Sequence, residues 1–93
     1  MNIRVYAPSQ VSNQLQEVVN DCIDNLKTFF SRIKTAEVFI TEAEDNRVEI
    51  KLYLMRRVLY TTDHADKLEK ALENAAEKMR KLLITYQKEV AIF

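Results

Sequence analysis

The hydrophobic rhythm of this chain changes once between Leu15 and Ile40, from a helical period to a strand period. Leu15, Val18, Val19, Cys22, Ile23, Leu26, Phe29, Phe30 and Ile33 step by threes and fours, lining one face of a helix that runs to about Arg32. Ala36, Val38 and Ile40 then alternate with Glu37, Phe39 and Thr41, the period of a half-buried strand covering about Thr35 to Glu42. Upstream, Asn2 to Tyr6 reads as a short strand ended by Pro8, and Ser9 or Ser12 can cap the helix that follows. Downstream of a turn at Glu44-Asp45-Asn46, a third strand turns Val48, Ile50, Leu52 and Leu54 toward the core. Glu49, Lys51 and Tyr53 face out. Met55-Arg56-Arg57 must contain the next reversal, and Val58 to Thr62 forms a fourth strand rich in β-branched and aromatic residues.

The last helix carries the stripe Leu68, Ala71, Leu72, Ala75, Ala76, Met79, Leu82, Leu83 and Tyr86. Asp63 is its expected N-cap, with Asp66 favourable near the positive end of the helix dipole. Glu77 and Lys81 stand at i,i+4 on its outer face. The order β-α-β-β-β-α predicts an α+β two-layer sandwich: a four-stranded mixed sheet, strand one parallel to its neighbour, with both helices on one face. The expected core brings together Val18, Cys22, Leu26, Phe30, Ile50, Leu72, Met79 and Leu83.

Composition narrows the function. The 93 residues suit a single domain, residues 1–93, with one core. No apolar run approaches the roughly 20 residues of a bilayer-spanning helix, so no membrane is expected, and without a secretory h-region the expected address is the cytoplasm. The absence of glycine removes phosphate-cradling loops, dinucleotide fingerprints and nucleophile elbows, all of which need positive φ or close backbone approach. No nucleophile with a base, no paired carboxylates and no metal cluster emerges, and His64 has no neighbour at metal-ligand spacing. The expectation is a protein that is not an enzyme, with no cofactor, no metal and no small-molecule substrate. The lone Cys22 lies in the apolar stripe and reads as a small buried hydrophobe.

Fourteen basic residues balance 14 acidic ones, and nucleic-acid binders usually carry a basic surplus. Distribution can outweigh the sum. Lys78, Arg80, Lys81 and Lys88 cluster toward the C-terminal end of the last helix, where positive charge also complements the helix dipole. Arg56 and Arg57 sit at a strand reversal, where charge also guards an exposed edge. Phe39, Tyr53 and Tyr60 offer a stacking platform on the open sheet face, although Glu37 and Glu49 interleave with them.

The element order, with Leu26-Lys27-Thr28-Phe29-Phe30-Ser31-Arg32-Ile33 leading into Ala36-Glu37-Val38-Phe39-Ile40, resembles the ribosome hibernation promoting factor (protein Y) family. The similarity continues through Val48-Glu49-Ile50 and the last helix. It implies a partner in the small ribosomal subunit, bound in the decoding channel over the sites of messenger and transfer RNA. Basic residues of the helices would meet ribosomal RNA there. Arg32 matches the Arg of the family's Arg-Ile step, and Lys78 and Lys81 match the basic positions of its Lys-Leu-x-Arg-Gln-Leu stretch. Arg80 and Lys88 lie nearby without a clear counterpart in the family and, with Arg56 and Arg57 at the strand reversal, complete the candidate phosphate contacts. A chain ending at Phe93 would match the family's short form.

Departures from the family pattern are specific. Asn25, Thr85 and Gln87 stand where lysines are common, Leu82 replaces a glutamine, and the glycine turn between strands three and four is missing. Asp66 is one position out of step with the stripe. Fewer phosphate contacts imply weaker, less salt-dependent RNA binding. The competing reading is a protein-interaction module of the same fold that has lost RNA binding. Its partner, or a second copy, would dock on the apolar ending Val90-Ala91-Ile92-Phe93.

Overall fold

The computed structural model describes residues 2–7, 12–29, 32–42 and 46–91. The elements run β1 (Asn2–Tyr6), α1 (Asn13–Phe29), β2 (Thr35–Glu42), β3 (Asn46–Tyr53), β4 (Val58–Ala65) and α2 (Leu68–Ala91). The sheet has the order β1-β2-β3-β4, with β1 parallel to β2 and the other pairings antiparallel. This is the expected α+β sandwich.

Alternation decides which face is dry. Ala36, Val38, Ile40, Val48, Ile50, Leu52 and Leu59 point to one side, where they are buried with Val19, Ile23 and Leu26 of α1 and Ala71, Leu72, Ala75, Met79 and Leu83 of α2. The other side carries the charged and aromatic positions. Ser12 caps α1, its hydroxyl accepting the Leu15 N–H at 3.1 Å, as its side-chain chemistry predicts.

Several expectations need correction. Val18 and Cys22 are half-buried and only flank the core, because α1 turns Val19, Ile23 and Leu26 to the sheet instead. Phe30, Ser9, the Glu44-Asp45 turn and the Ile92-Phe93 end of the apolar docking segment lie outside the described residues. α1 ends at Phe29, and Arg32 sits in a turn leading to β2. β4 continues past Thr62 to Ala65, so Asp63 and His64 are strand residues rather than a cap and a first helical turn. α2 starts at Leu68. Glu77 pairs with Arg80, three residues on, rather than with Lys81.

Met55 and Arg56 form a two-residue reversal, with the Leu54 N–H donating to the Arg57 carbonyl at 2.8 Å. No described residue has positive φ, so this is not the left-handed turn that glycine usually supplies in such a hairpin.

Candidate nucleic-acid interface

Topology determines where the candidate cations gather. α1 returns from the end of β1 to the start of β2, and α2 returns from the end of β4, so both helices run antiparallel to β2 and finish at the same end. Lys27 occupies the last turn of α1 and Lys88 the last turn of α2. The chain then re-enters the sheet at that same end: the Lys34 N–H donates to the Tyr53 carbonyl at 2.9 Å, so Arg32 and Lys34 lie at the end of the sheet where β3 turns into β4 through Arg56 and Arg57. Lys27, Arg32, Lys34, Arg56, Arg57 and Lys88 thus share one end of the molecule. Asp63, Asp66 and Glu69 lie at the other. Zero net charge therefore hides an uneven distribution, and the basic end complements the C-terminal ends of both helix dipoles.

Sequence reasoning singled out Arg32, Arg56, Arg57 and Lys88 but missed Lys27 and Lys34 as their neighbours. The parallel course of the two helices, readable from the element order, was the available signal.

Lys78, Arg80 and Lys81 do not form one cluster. At roughly 100° per residue, Lys78 and Arg80 diverge to opposite flanks of α2 while Lys81 faces outward. Lys81 and Lys88, seven residues apart, fall on one ridge with Lys70, about 10 Å apart along the axis. Lys78 reaches round β4, where its Nζ donates to the Thr62 carbonyl at 3.1 Å and lies 3.3 Å from Asp63. The Asp63 carboxyl is held below its ordinary range, first by the His64 main-chain N–H and then by Lys78.

Arg80 grips Glu77 through two hydrogen bonds, the Nε bond being 3.0 Å, and the pair lowers the Glu77 carboxyl while raising the guanidinium. Arg57 donates to Glu89 at 2.8 Å and lies 5.9 Å from the centre of the Tyr86 ring. Three of the seven candidate cations thus face an internal carboxylate. Arg32, Arg56, Lys81 and Lys88 are exposed and form no ion pair with a described residue.

The groove between the helices, about 470 Å³, has Cys22, Leu26 and Ala76 among its walls and the Glu77–Arg80 pair on its rim. Burial, then Glu73 and Asp21, push the Cys22 thiol up, which disfavours the reactive thiolate.

Phe39, Tyr53 and Tyr60 share the open sheet face, each with a partner there. Phe39 stacks on Tyr6, ring centres 4.9 Å apart, and Lys51 sits 5.4 Å from its centre. Tyr53 donates to Glu37 at 2.5 Å and Tyr6 donates to the same carboxylate at 3.2 Å. Tyr60 is exposed but interacts with Glu49. The open face is occupied by its own network.

A mixed four-stranded sheet under two parallel helices, basic where those helices end, makes a small α+β domain. The chain belongs to the family described as Sigma 54 modulation protein / S30EA ribosomal protein, whose model matches residues 7–90. This is the hibernation-factor family that the residue pattern resembles. Among solved structures, a ribosomal subunit interface protein from Coxiella burnetii superposes with a TM-score of 0.88 at 14% identity, covering 95% of this chain and 99% of that one. The Thermus thermophilus Protein Y N-terminal domain superposes with a TM-score of 0.85 at 17% identity, covering 92% and 99%. At such identities the likeness is one of fold. No curated protein sequence matches the chain.

Proposed function

We propose that this chain binds the small ribosomal subunit and blocks translation by occupying the decoding channel, its basic side chains meeting ribosomal RNA phosphates. The observation that carries this reading is the family match across residues 7–90. The gathering of basic residues where both helices end supports it, because phosphate contact needs local rather than net positive charge. The role is non-catalytic, needs no cofactor and belongs in the cytoplasm. No described helix is long and apolar enough to cross a membrane.

The candidate contacts fall into two ranks. Arg32, Lys81, Lys88 and Arg56 present their charge outward and lead. Lys78, Arg80 and Arg57 must first exchange Asp63, Glu77 or Glu89 for phosphate. That requirement reduces what each adds to affinity.

Co-sedimentation of the full chain with purified small subunits tests the proposal. The protein should pellet at about 50 mM salt and dissociate as salt rises toward about 200 mM, through counterion release. The triple variant Arg32→Glu, Lys81→Glu, Lys88→Glu should stay in the supernatant with its circular dichroism unchanged. Failure of the unsubstituted chain to pellet at the low salt concentration overturns the reading.

A further inference from the structure

β4 is an edge strand, and its hydrogen-bond phase can be read from three contacts. The Leu54 N–H donates to the Arg57 carbonyl, so Leu54 and Arg57 stand opposite each other at a hydrogen-bonded position of the ladder. Along the register, Leu52 with Leu59, Ile50 with Thr61 and Val48 with Asp63 are then also bonded pairs, since such pairs alternate along an antiparallel ladder. The main-chain groups of Val58, Tyr60, Thr62 and His64 therefore point away from β3. Two of those groups confirm the phase: the Thr62 carbonyl accepts from Lys78 Nζ at 3.1 Å, and the His64 N–H donates to its neighbour Asp63 at 2.8 Å. The Asp63–Lys78 pair thus closes the half of the edge from Thr62 to His64. The half around Val58 and Tyr60 has no such closure among the described residues, and apolar side chains crowd it: Met55, Val58 and Tyr60 are 74%, 51% and 46% exposed.

We propose that the outer edge of β4 is a strand-addition site for a second copy of this chain, closed in the monomer by Lys78. A two-fold axis through Tyr60 sets two β4 strands antiparallel and in phase. Tyr60 then exchanges both ladder bonds with Tyr60 of the second copy, and Val58 does so with Thr62. About six main-chain bonds result, which is the strand-addition mode of recognition. Across the junction the side-chain pairs are Tyr60 with Tyr60, Val58 with Thr62 and Leu59 with Thr61, all uncharged and, Leu59 apart, of strand-favouring type. Arg57 comes opposite Asp63 of the second copy, and symmetry repeats that favourable pair. The arrangement continues the sheet from four strands to eight.

Lys78 opposes this pairing because its amine occupies the Thr62 carbonyl, which the dimer needs. A lysine laid over an edge is a common means of preventing unwanted pairing. Removing the amine but keeping its apolar stem should convert a guarded edge into an open one.

Sedimentation velocity on the full chain over a concentration series tests this. Lys78→Met should tighten self-association at least tenfold over the unsubstituted chain, while Lys70→Met, the same charge change on the outer ridge of α2, should not. Adding Tyr60→Lys to Lys78→Met sets two ammonium groups face to face at the axis and should return the protein to monomer. In the Lys78→Met dimer the amides of Val58, Tyr60 and Thr62 should become protected from hydrogen exchange. A Lys78→Met protein that stays monomeric at every concentration overturns the proposal. So does a dimer that survives Tyr60→Lys, or one that leaves those three amides unprotected.

Discussion

Thr61 on β4 donates a 3.0 Å hydrogen bond from its hydroxyl to the Ala75 carbonyl of α2, within the apolar layer between helix and sheet. Among the described residues it is the one buried polar side chain, set in an otherwise aliphatic layer. The Ala75 carbonyl keeps its helical partner, the Met79 N–H, if the hydroxyl is lost. Thr61→Val should therefore cost about 0.5–1.5 kcal/mol in urea unfolding, the usual net contribution of one hydrogen bond. A loss near zero would show that the bond does not help hold α2 on β4.

The core makes a sharper contrast between two neighbours in sequence. Leu83 is fully buried whereas Leu82 is 38% exposed. Leu83→Ala should cost about 2–5 kcal/mol, from lost burial plus the residual cavity. Leu82→Ala should cost under about 1 kcal/mol, as surface changes usually do. Equal losses in chemical denaturation would mean that the face of α2 turned to the sheet is misassigned.

Glu37 supplies a pH signature. Its carboxyl is held low, chiefly by the Tyr53 hydroxyl, and the same bond holds the Tyr53 phenol high. Because the folded carboxyl titrates below its unfolded value, its stabilisation is complete above the ordinary glutamate range and fades as pH falls through the folded pKa. The phenol works in the opposite sense: its contribution is complete below the ordinary tyrosine range and fades as pH rises through its raised pKa. In Tyr53→Phe, the Glu37 carboxyl should titrate upward, closer to the ordinary value, when followed by nuclear magnetic resonance. An unmoved Glu37 would mean that the Tyr53 bond does not govern it.

The strands β2 and β3 were legible because alternation between dry and wet faces leaves no freedom in register: Val38 and Ile50 can only meet on the buried side. The end of β4 was not. Asp63 has the chemistry of a helix cap, and the same oxygen atoms serve equally to bond a strand neighbour's N–H and a distant lysine. Cys22 misled similarly, since the apolar stripe of α1 is wider than its contact with the sheet and the thiol falls on the groove toward α2. Among the candidate cations, chemistry was legible and availability was not. The Glu77–Arg80 pair lies within one helical turn. Glu89 meets Arg57 across 32 residues of sequence, and no periodicity reveals that.

That last pair carries the final prediction, which rests on the proposed ribosomal RNA contact. Arg57 is held by Glu89, and both side chains are about half exposed, 51% and 53%. An exposed pair contributes little to stability, so Glu89→Gln should leave the unfolding midpoint almost unchanged. It should also free the guanidinium to meet a phosphate. Binding to small subunits should then tighten, and the slope of log affinity against log salt should steepen by about one, the signature of one added phosphate contact. Arg57→Gln in the same assay should flatten the slope of the unsubstituted chain by less than one, since Glu89 already offsets part of that charge. If Glu89→Gln leaves both affinity and slope unmoved while the unsubstituted chain still binds, Arg57 lies away from the RNA. The contact surface then shifts to the ridge of Lys81 and Lys88.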